Sequence, residues 1–486
     1  MAAATNRELG KRVLGSLVAR VAFTCITIFT ATSCTSSCAA DSAINIGSRL
    51  EIFVDDLLIE QITGAKLMMH QPQPREVVIV CDAPWEGNTS AYYTLFQDGE
   101  LYRMYYRGAH SDLTSRENAH PEYVCYAQSR DGIHWEKPKL GLVEFKGSKE
   151  NNILRTGPGS HNFTPFKDEN PLCTADARYK ALAGASTLVD GKRKASLQAY
   201  KSPDGIHWSL MREPAVITDG AFDSQNLAFW HPERKVYLDY HRKGRSGVRD
   251  IMTCSSADFL NWTQPQFLNY GDAPSEHLYT NAVQLYFRAP HIYLGFPTRF
   301  QPKHEQVEPI LMTSRDGLNF RRWPEPLIPI TAPKDRDGNR SNYMARGLLQ
   351  LPGQNRELSL YATEAYYAGP GSRVRRFTIR TDGFVSVHTD DEGRLLTKPL
   401  EFTGSQLRLN YISQSGGGVR VGIIDAQTGE SMLGFAPTDC DELRGDEIHQ
   451  AVTWKGRGNV SKLFGKKVQL QFLLRKSDLY GLQFGE

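Results

Sequence analysis

Carboxylates, arginines, amides and aromatic rings recur at matching places along this chain. Trp85, Glu86 and Asn88 stand in "PWEGN", His161 and Asn162 in "SHNF", and Asp223, Gln225 and Asn226 in "FDSQN". Tyr279 and Asn281 follow in "LYTNA", and Arg346 in "MARG". A second series trails the first: Arg107, Arg242, Arg299 and Glu364. Cleaving a glycosidic bond takes one carboxyl to protonate the leaving oxygen and a second to serve as base or nucleophile. The residue types therefore suit a sugar-cleaving site with Glu86 and Asp223 as the working pair and Glu364 as a third acid. Trp85 would stack on a sugar face. Arg107, Arg242, Arg299 and Arg346, with His161, Asn162, Asn226 and Asn281, would hold the substrate. Arginines at matching positions also suit an anionic group, a uronate, sulfate or sialate, through charge-assisted bidentate contacts. Glu122, Asp250 and Glu276 are lesser carboxylate candidates. Each acid has a structural reading beside the chemical one: Glu86 as a solvated loop residue, Asp223 as a strand cap, Glu364 as the ion-pair partner of Arg346 or Arg299.

A site exists only if the chain brings these residues together, and a repeat supplies the means. "SRDGIHW" at 129–135 recurs as "SPDGIHW" at 202–208, with weaker copies "SSADFLNW", "SRDGLNF" and "RTDGFVSV". The motif aspartates fall at 131, 204, 258, 316 and 382, and five copies argue for repeat architecture rather than paired half-sites. Ahead of each copy run two strand-like segments, such as "SAYYTLFQDG" and "LYRMYYRG", joined by turn residues such as Asp98-Gly99, Pro232-Glu233 or Pro352-Gly353. A short strand follows each copy. Four strands per unit make the blade of a β-propeller. The motif is then the hairpin between the third and fourth strands, with Asp-Gly supplying positive φ and the Trp wedged between blades. His134 and His207 belong to that turn, which gives them a structural role. With the first strand of each blade lining the axis, the first and second series of candidate residues converge on one rim.

The fold class expected is thus all-β: a five-bladed propeller over 48–392 followed by a β-sandwich over 395–486, where period-two strands such as "VRVGIID" and "KVQLQFLLR" replace the motif. Residues 1–40 read as an export signal. Arg7, Lys11, Arg12 and Arg20 precede an apolar run and then small residues near Ala40, with Cys34 or Cys38 as a lesser, lipid-modified option. Localisation outside the cytoplasm, secreted or in the cell envelope, follows, with no membrane span once the leader is removed. Lys plus Arg is 57 and Asp plus Glu is 54, and no basic run suggests nucleic-acid binding. Beyond the leader, Cys81, Cys125, Cys173, Cys254 and Cys440 form an odd set, so one at least is unpaired. No CxxC or HExxH suggests zinc.

With its motif and five-unit spacing, the chain resembles the five-bladed propeller superfamily of glycoside hydrolases, the group of invertases, levansucrases and arabinanases (families 32, 68 and 43). The resemblance covers about residues 50 to 390. It implies secretion, a carbohydrate substrate, no organic cofactor and three inward acids near the starts of the inner strands of blades one to three. It leaves room for a structural calcium or sodium ion in the central channel, for which no ligand set is legible. Blade two offers His161-Asn162 where an acid is implied. That departure favours the alternative expectation, a glycan-binding or adhesion propeller without catalysis.

Overall fold

The computed structural model describes residues 43–486 except 113, 116, 190–191, 304–305 and 330–341. The expected leader lies outside the described residues. The described chain is all-β, with two single-turn 3-10 helices. Among these residues no helix is long and apolar enough to cross a membrane.

Twenty-one strands fall into five antiparallel sets, each four strands wide, and a short strand His277–Leu278 adds to the fourth. The first is Ala91–Asp98, Leu101–Gly108, Tyr123–Ser129 and Ile153–Thr156. The second is Thr164–Lys167, Tyr179–Val189, Lys192–Ser202 and Ser209–Leu210. The third runs Leu227–His231, Val236–Arg245, Val248–Ser256, Gln266–Phe267. The fourth has Gln284–Tyr286, a second strand broken into Ala289–Gly295 and Thr298–Gln301, then Gln306–Ser314 and Phe320–Pro326. The fifth takes Met344–Leu349, Glu357–Glu364 and Arg373–Arg380 from late in the chain and completes itself with Gln73–Val80 from early in it. The first strands of all five sets line a single cavity, contributing Leu95, Phe166, Phe229, Gln284 and Arg346 among others. The buried residues of neighbouring sets merge into shared apolar clusters, such as Tyr102, Met104 and Tyr106 with Leu349, Tyr361 and Val374.

The repeated motif is architecture, and the reason is visible atom by atom. Ser129 Oγ accepts from the amides of Asp131 and Gly132 (3.2 and 2.9 Å). Asp131 Oδ1 accepts from Ile133 and His134 (2.9 and 2.8 Å), and Trp135 Nε1 donates to the Gly132 carbonyl (3.0 Å). The copy at 202–208 repeats every one of these contacts. Only the glycine takes positive φ (74° and 79°), so the turn is held by Ser and Asp side chains rather than by two left-handed residues as the sequence suggested. Each turn docks on the preceding set. Tyr361 donates to the Gly132 carbonyl, Tyr105 to Gly205 and Tyr240 to Gly317 (2.8, 3.0 and 2.7 Å). Trp135 and Trp208 stand edge-on to Tyr361 and Tyr105. In the third set Phe259 replaces the glycine at φ 68° and packs on Phe166 of the second. Where a tyrosine docks on the turn the glycine is held in place: at Gly317 a Cβ would meet Tyr240 Oη at 2.6 Å and the Tyr293 ring at 2.8 Å, with φ at 74°. Gly317→Ala is expected to cost about 2–3 kcal/mol from left-handed strain and overpacking together, read as a lower urea midpoint.

The fifth expected copy is a correction. Asp382 itself takes φ 63°, is fully buried, and accepts from Tyr286, from Arg288 Nε at 2.9 Å and from Asn410 Nδ2 at 3.2 Å. With Arg380-Thr381 where the other copies carry a serine two positions before the aspartate, no Ser-Asp turn forms.

The expected boundary at 392–395 is also corrected. Strand Val385–Thr397 runs across it and belongs to a nine-stranded sheet with Gln406–Asp425 and Val468–Gly485. Four early strands, Ile44–Gly47, Glu51–Ile52, Ile59–Thr63 and Lys66–Met69, pair into the same sheet. The strands within residues 48–69, expected as part of the propeller over 48–392, therefore pair into the sheet of the C-terminal strands. Bulges at Ser413/Gly418 and Thr389/Glu392 let its long strands bend around a core that includes Val421, Trp454, Leu470 and the stacked pair Phe402–Phe484.

Candidate functional site

At the starts of the first strands and the ends of the second, tyrosines and arginines close a ring of contacts. The Tyr92 hydroxyl donates to the Asp223 carbonyl (3.2 Å), and the Asp223 carboxylate pairs with Arg242. Arg242 and Arg249 lie over the Tyr279 ring (5.5 and 4.5 Å to its centroid). Tyr279 leans on Tyr343 (6.2 Å), Tyr343 on Tyr366 (5.0 Å), and Tyr366 on Tyr367 (4.5 Å). Arg107 donates to the Tyr366 hydroxyl (3.0 Å) and lies over the Tyr92 ring (4.8 Å), which completes the circuit. His161 joins from the second set, 5.5 Å ring to ring from Tyr92. It also lies within 2.9 Å of Glu122, which is 3.4 Å from Arg107.

The backbone here is bent on purpose. Tyr92, Ala282, Ala365 and Tyr367 all take positive φ (59°, 42°, 54° and 56°), a conformation that costs a non-glycine residue of order 1–3 kcal/mol and clusters at functional sites. At Tyr92 the strand register slips between Ala91 and Thr94, a bulge of the kind that re-aims a side chain.

Burial and neighbouring hydroxyls shape the electrostatics. Burial, then the nearby Tyr366, pushes Tyr92 well above the usual tyrosine range. Tyr366 and burial lift Tyr367 to about 12. These phenols stay protonated donors at any physiological pH. Burial pulls Glu122 upward, but the hydrogen bond to His161 and the Arg107 charge outweigh it and hold the carboxyl below its ordinary value. The ring thus presents hydroxyl donors, aromatic faces and guanidinium groups around two carboxylates, Asp223 (side chain 73% exposed) and Glu122 (24%).

Of the residues singled out from sequence, Arg107, Glu122, His161, Asp223, Arg242 and Tyr279 come together here. The others do not, each for a stated reason. Glu86 has a fully buried side chain that accepts from Tyr106 Oη at 2.5 Å and from Lys137 Nζ at 2.6 Å. Trp85 donates to Asn152 Oδ1 (2.7 Å) and packs edge-on to Phe145, with no contact to the ring of tyrosines and arginines. Glu364 is buried and neutralised by Arg373 and Arg375 of the adjacent strand (3.0 and 2.6 Å), not by Arg346 or Arg299. Arg299 is spent on Glu308 and Glu276 (2.6 and 3.2 Å). Asn162 spends its amide on the carbonyls of Phe222 and Ser224 and on the Gly184 amide. Asn226 donates to the first two of those carbonyls, and Asn281 to the carbonyls of Gln225 and Tyr240; all three are buried. Arg346 lines the cavity between the five sets, toward the turns joining the first and second strands. Asp250 is bound by Arg245 and Tyr270.

No family model matches the chain. Two uncharacterized proteins of Mycobacterium tuberculosis, from two strains, are each 37% identical over 65 residues, 13% of this chain and 21% of theirs; the chain thus spans about a fifth of the length of the curated relatives it matches. Among solved structures it is similar to an N-acetylgalactosamine deacetylase from F. plautii in complex with blood group B trisaccharide (14% identity, TM-score 0.46, 66% of this chain and 97% of that one). It is similar also to a thermostable family-43 glycoside hydrolase (12%, 0.43, 62% and 93%) and to the GH32 beta-fructofuranosidase of Bombyx mori (12%, 0.40, 85% and 94%).

Among the described residues one group of metal-ligating side chains converges, Asp239, His241 and Cys254. Both ring nitrogens of His241 are already engaged, by Asp239 Oδ2 (2.5 Å) and the Asp219 carbonyl (2.9 Å), which makes the group a buried hydrogen-bond network. Cys81, Cys125, Cys173, Cys254 and Cys440 are all free thiols. The residues missed from sequence are Tyr92, Tyr343, Tyr366 and Tyr367. The signal that could have found them is their place, at the starts of first strands or just past the ends of second ones.

Proposed function

We propose that the five sets are the blades of a five-bladed β-propeller, that the nine-stranded sheet is a sandwich-like accessory unit, and that the protein is an exported glycoside hydrolase. Its site is the tyrosine–arginine ring, and its substrate is an extracellular glycan carrying an anionic group. The supporting observation is the ring itself: aromatic faces for sugar rings, guanidinium groups for a uronate or sulfate, and Asp223 with Glu122 as the carboxylates that reach it. Glu122, held ionised by His161 and Arg107, suits the base or nucleophile. Asp223 is the solvent-facing acid, to be released from Arg242 when an anionic substrate engages that arginine. This pairing replaces Glu86 and Glu364, whose carboxylates are locked in buried ion pairs.

The test is reducing-sugar release from a panel of neutral, uronic and sulfated polysaccharides by the wild type, Asp223→Asn and Glu122→Gln. Each variant is expected to lose about 10²–10⁴-fold in kcat with little change in Tm. Wild-type rates in both variants would remove these carboxylates from the reaction. A second reading, a glycan-binding protein without catalysis, is favoured by one fact: both rim carboxylates are ion-paired. Retention of a glycan with no release by any variant would decide for it.

A further inference from the structure

We propose that the cavity enclosed by the first strands of all five sets is a second binding site, for a carboxylate-bearing ligand held by Arg346 and Gln284. The cavity is about 830 Å³. Its walls come from the ends of the first strands, and its mouth from the turns that follow them, including Gly99, Pro232 and Gly353. It therefore opens on the side opposite the tyrosine–arginine ring.

Two donor groups face into it with nothing to bind. Gln284 is 8% exposed, and its Nε2 has no hydrogen-bond partner among the described residues; neither does the buried Arg346 Nε. Arg346 forms no ion pair there either. Burial pulls its guanidinium down to about 10, with only the charge of exposed Glu169 opposing that shift. Glu169 lines the same cavity but makes no ion pair with Arg346; a desolvated guanidinium that no carboxylate pairs is costly, and a sequence that needed only a filled channel would place an apolar side chain here. Lys167, the other cation of the cavity, is taken by Asp98 (2.8 Å). Around these donors stand Phe96, Trp230 and Phe287, the last 49% exposed near the mouth. A carboxylate entering from that mouth would meet the planar fork of Arg346 and the Gln284 amide, with aromatic walls for the body of the ligand. A free organic acid and a uronate unit of a glycan share this chemistry.

Calorimetric titration of the full chain with acetate, D-glucuronate and D-glucose separates these cases. Binding of glucuronate at least tenfold tighter than glucose is expected. It should weaken at least tenfold in Arg346→Met, weaken less in Arg346→Lys, which keeps the charge but not the fork, and show the same losses when Arg242→Met is already present to remove the rim guanidinium. Binding of acetate as well would point to a free acid, and of glucuronate alone to a uronate. Because Arg346 has no partner to strand, Arg346→Met should melt no lower than the wild type, and Arg346→Lys gives the same reading should it not fold. No binding of either acid, equal binding of glucose, or loss in Arg242→Met in place of Arg346→Met would overturn the proposal. None of these outcomes depends on hydrolytic activity at the opposite rim.

Discussion

Replacing Lys137 by Met will destabilise the protein by about 3–5 kcal/mol, the cost of stranding a buried carboxylate. Lys137 follows the first motif turn, and its ammonium is 2.6 Å from Glu86 Oε2, whose side chain is fully buried. The same ammonium donates to the Val80 carbonyl (2.6 Å), at the last residue of the early strand that completes the fifth set. One cation thus fastens the first set, the loop carrying Glu86 and the closing strand. Urea unfolding measures the loss. The double variant Glu86→Gln/Lys137→Met should recover more than half of it, because removing both charges leaves nothing unpaired. Glu86→Gln alone should keep the wild-type rate per folded molecule in a sugar-release assay, which a catalytic Glu86 would not.

Acid will loosen the chain through Glu51. Burial pushes this carboxyl up, but His291 at 3.2 Å and the Arg315 guanidinium at 2.5 Å win and hold it at about 2, against an ordinary 4.5. A carboxyl whose folded value is depressed stabilises the native state fully above its unfolded value and loses that contribution as pH falls toward the folded one. The contribution, on the order of 3 kcal/mol, should therefore disappear between pH 4.5 and 2. Glu51 sits in a strand of the nine-stranded sheet, while Arg315 lies in the motif turn of the fourth set, so what loosens is the attachment between them. Thermal melts across this range should show a steep fall for the wild type. Glu51→Gln should start lower at neutral pH and fall less.

What was legible in the sequence was local. The Ser-x-Asp-Gly turn closes on itself within a few residues, so its recurrence reported four of the five sets and the place of the Trp. The fifth copy misled because "RTDGF" carries the Asp-Gly pair without the serine that ties the turn. The site was legible only where charge had nowhere else to go. Arg107 and Arg242 reach the ring, but Glu86 is claimed by Lys137, and nothing near either residue in sequence announces that pairing. Glu364 was closer to readable, since Arg373 lies directly across its hairpin. The tyrosines escaped because Tyr is an ordinary strand residue. What sets Tyr92 and Tyr367 apart is a backbone conformation that their names do not carry.

The strand Gln73–Val80 has a consequence for how the chain is made. It leaves the ribosome before any of its own set exists, and its partner Arg373–Arg380 is synthesised about 300 residues later. Glu51 and Ile52 wait longer still, for Gly481 and Leu482. Closing such long loops costs chain entropy before any contact repays it, and topologies of this kind fold slowly. A nascent chain can assemble the second, third and fourth sets in order, but its first set must keep one flank open until the fifth arrives. Ring closure is therefore a late event, possible only once Arg373–Arg380 has emerged, and the interval before it is when the polypeptide most needs protection from pairing with a neighbour.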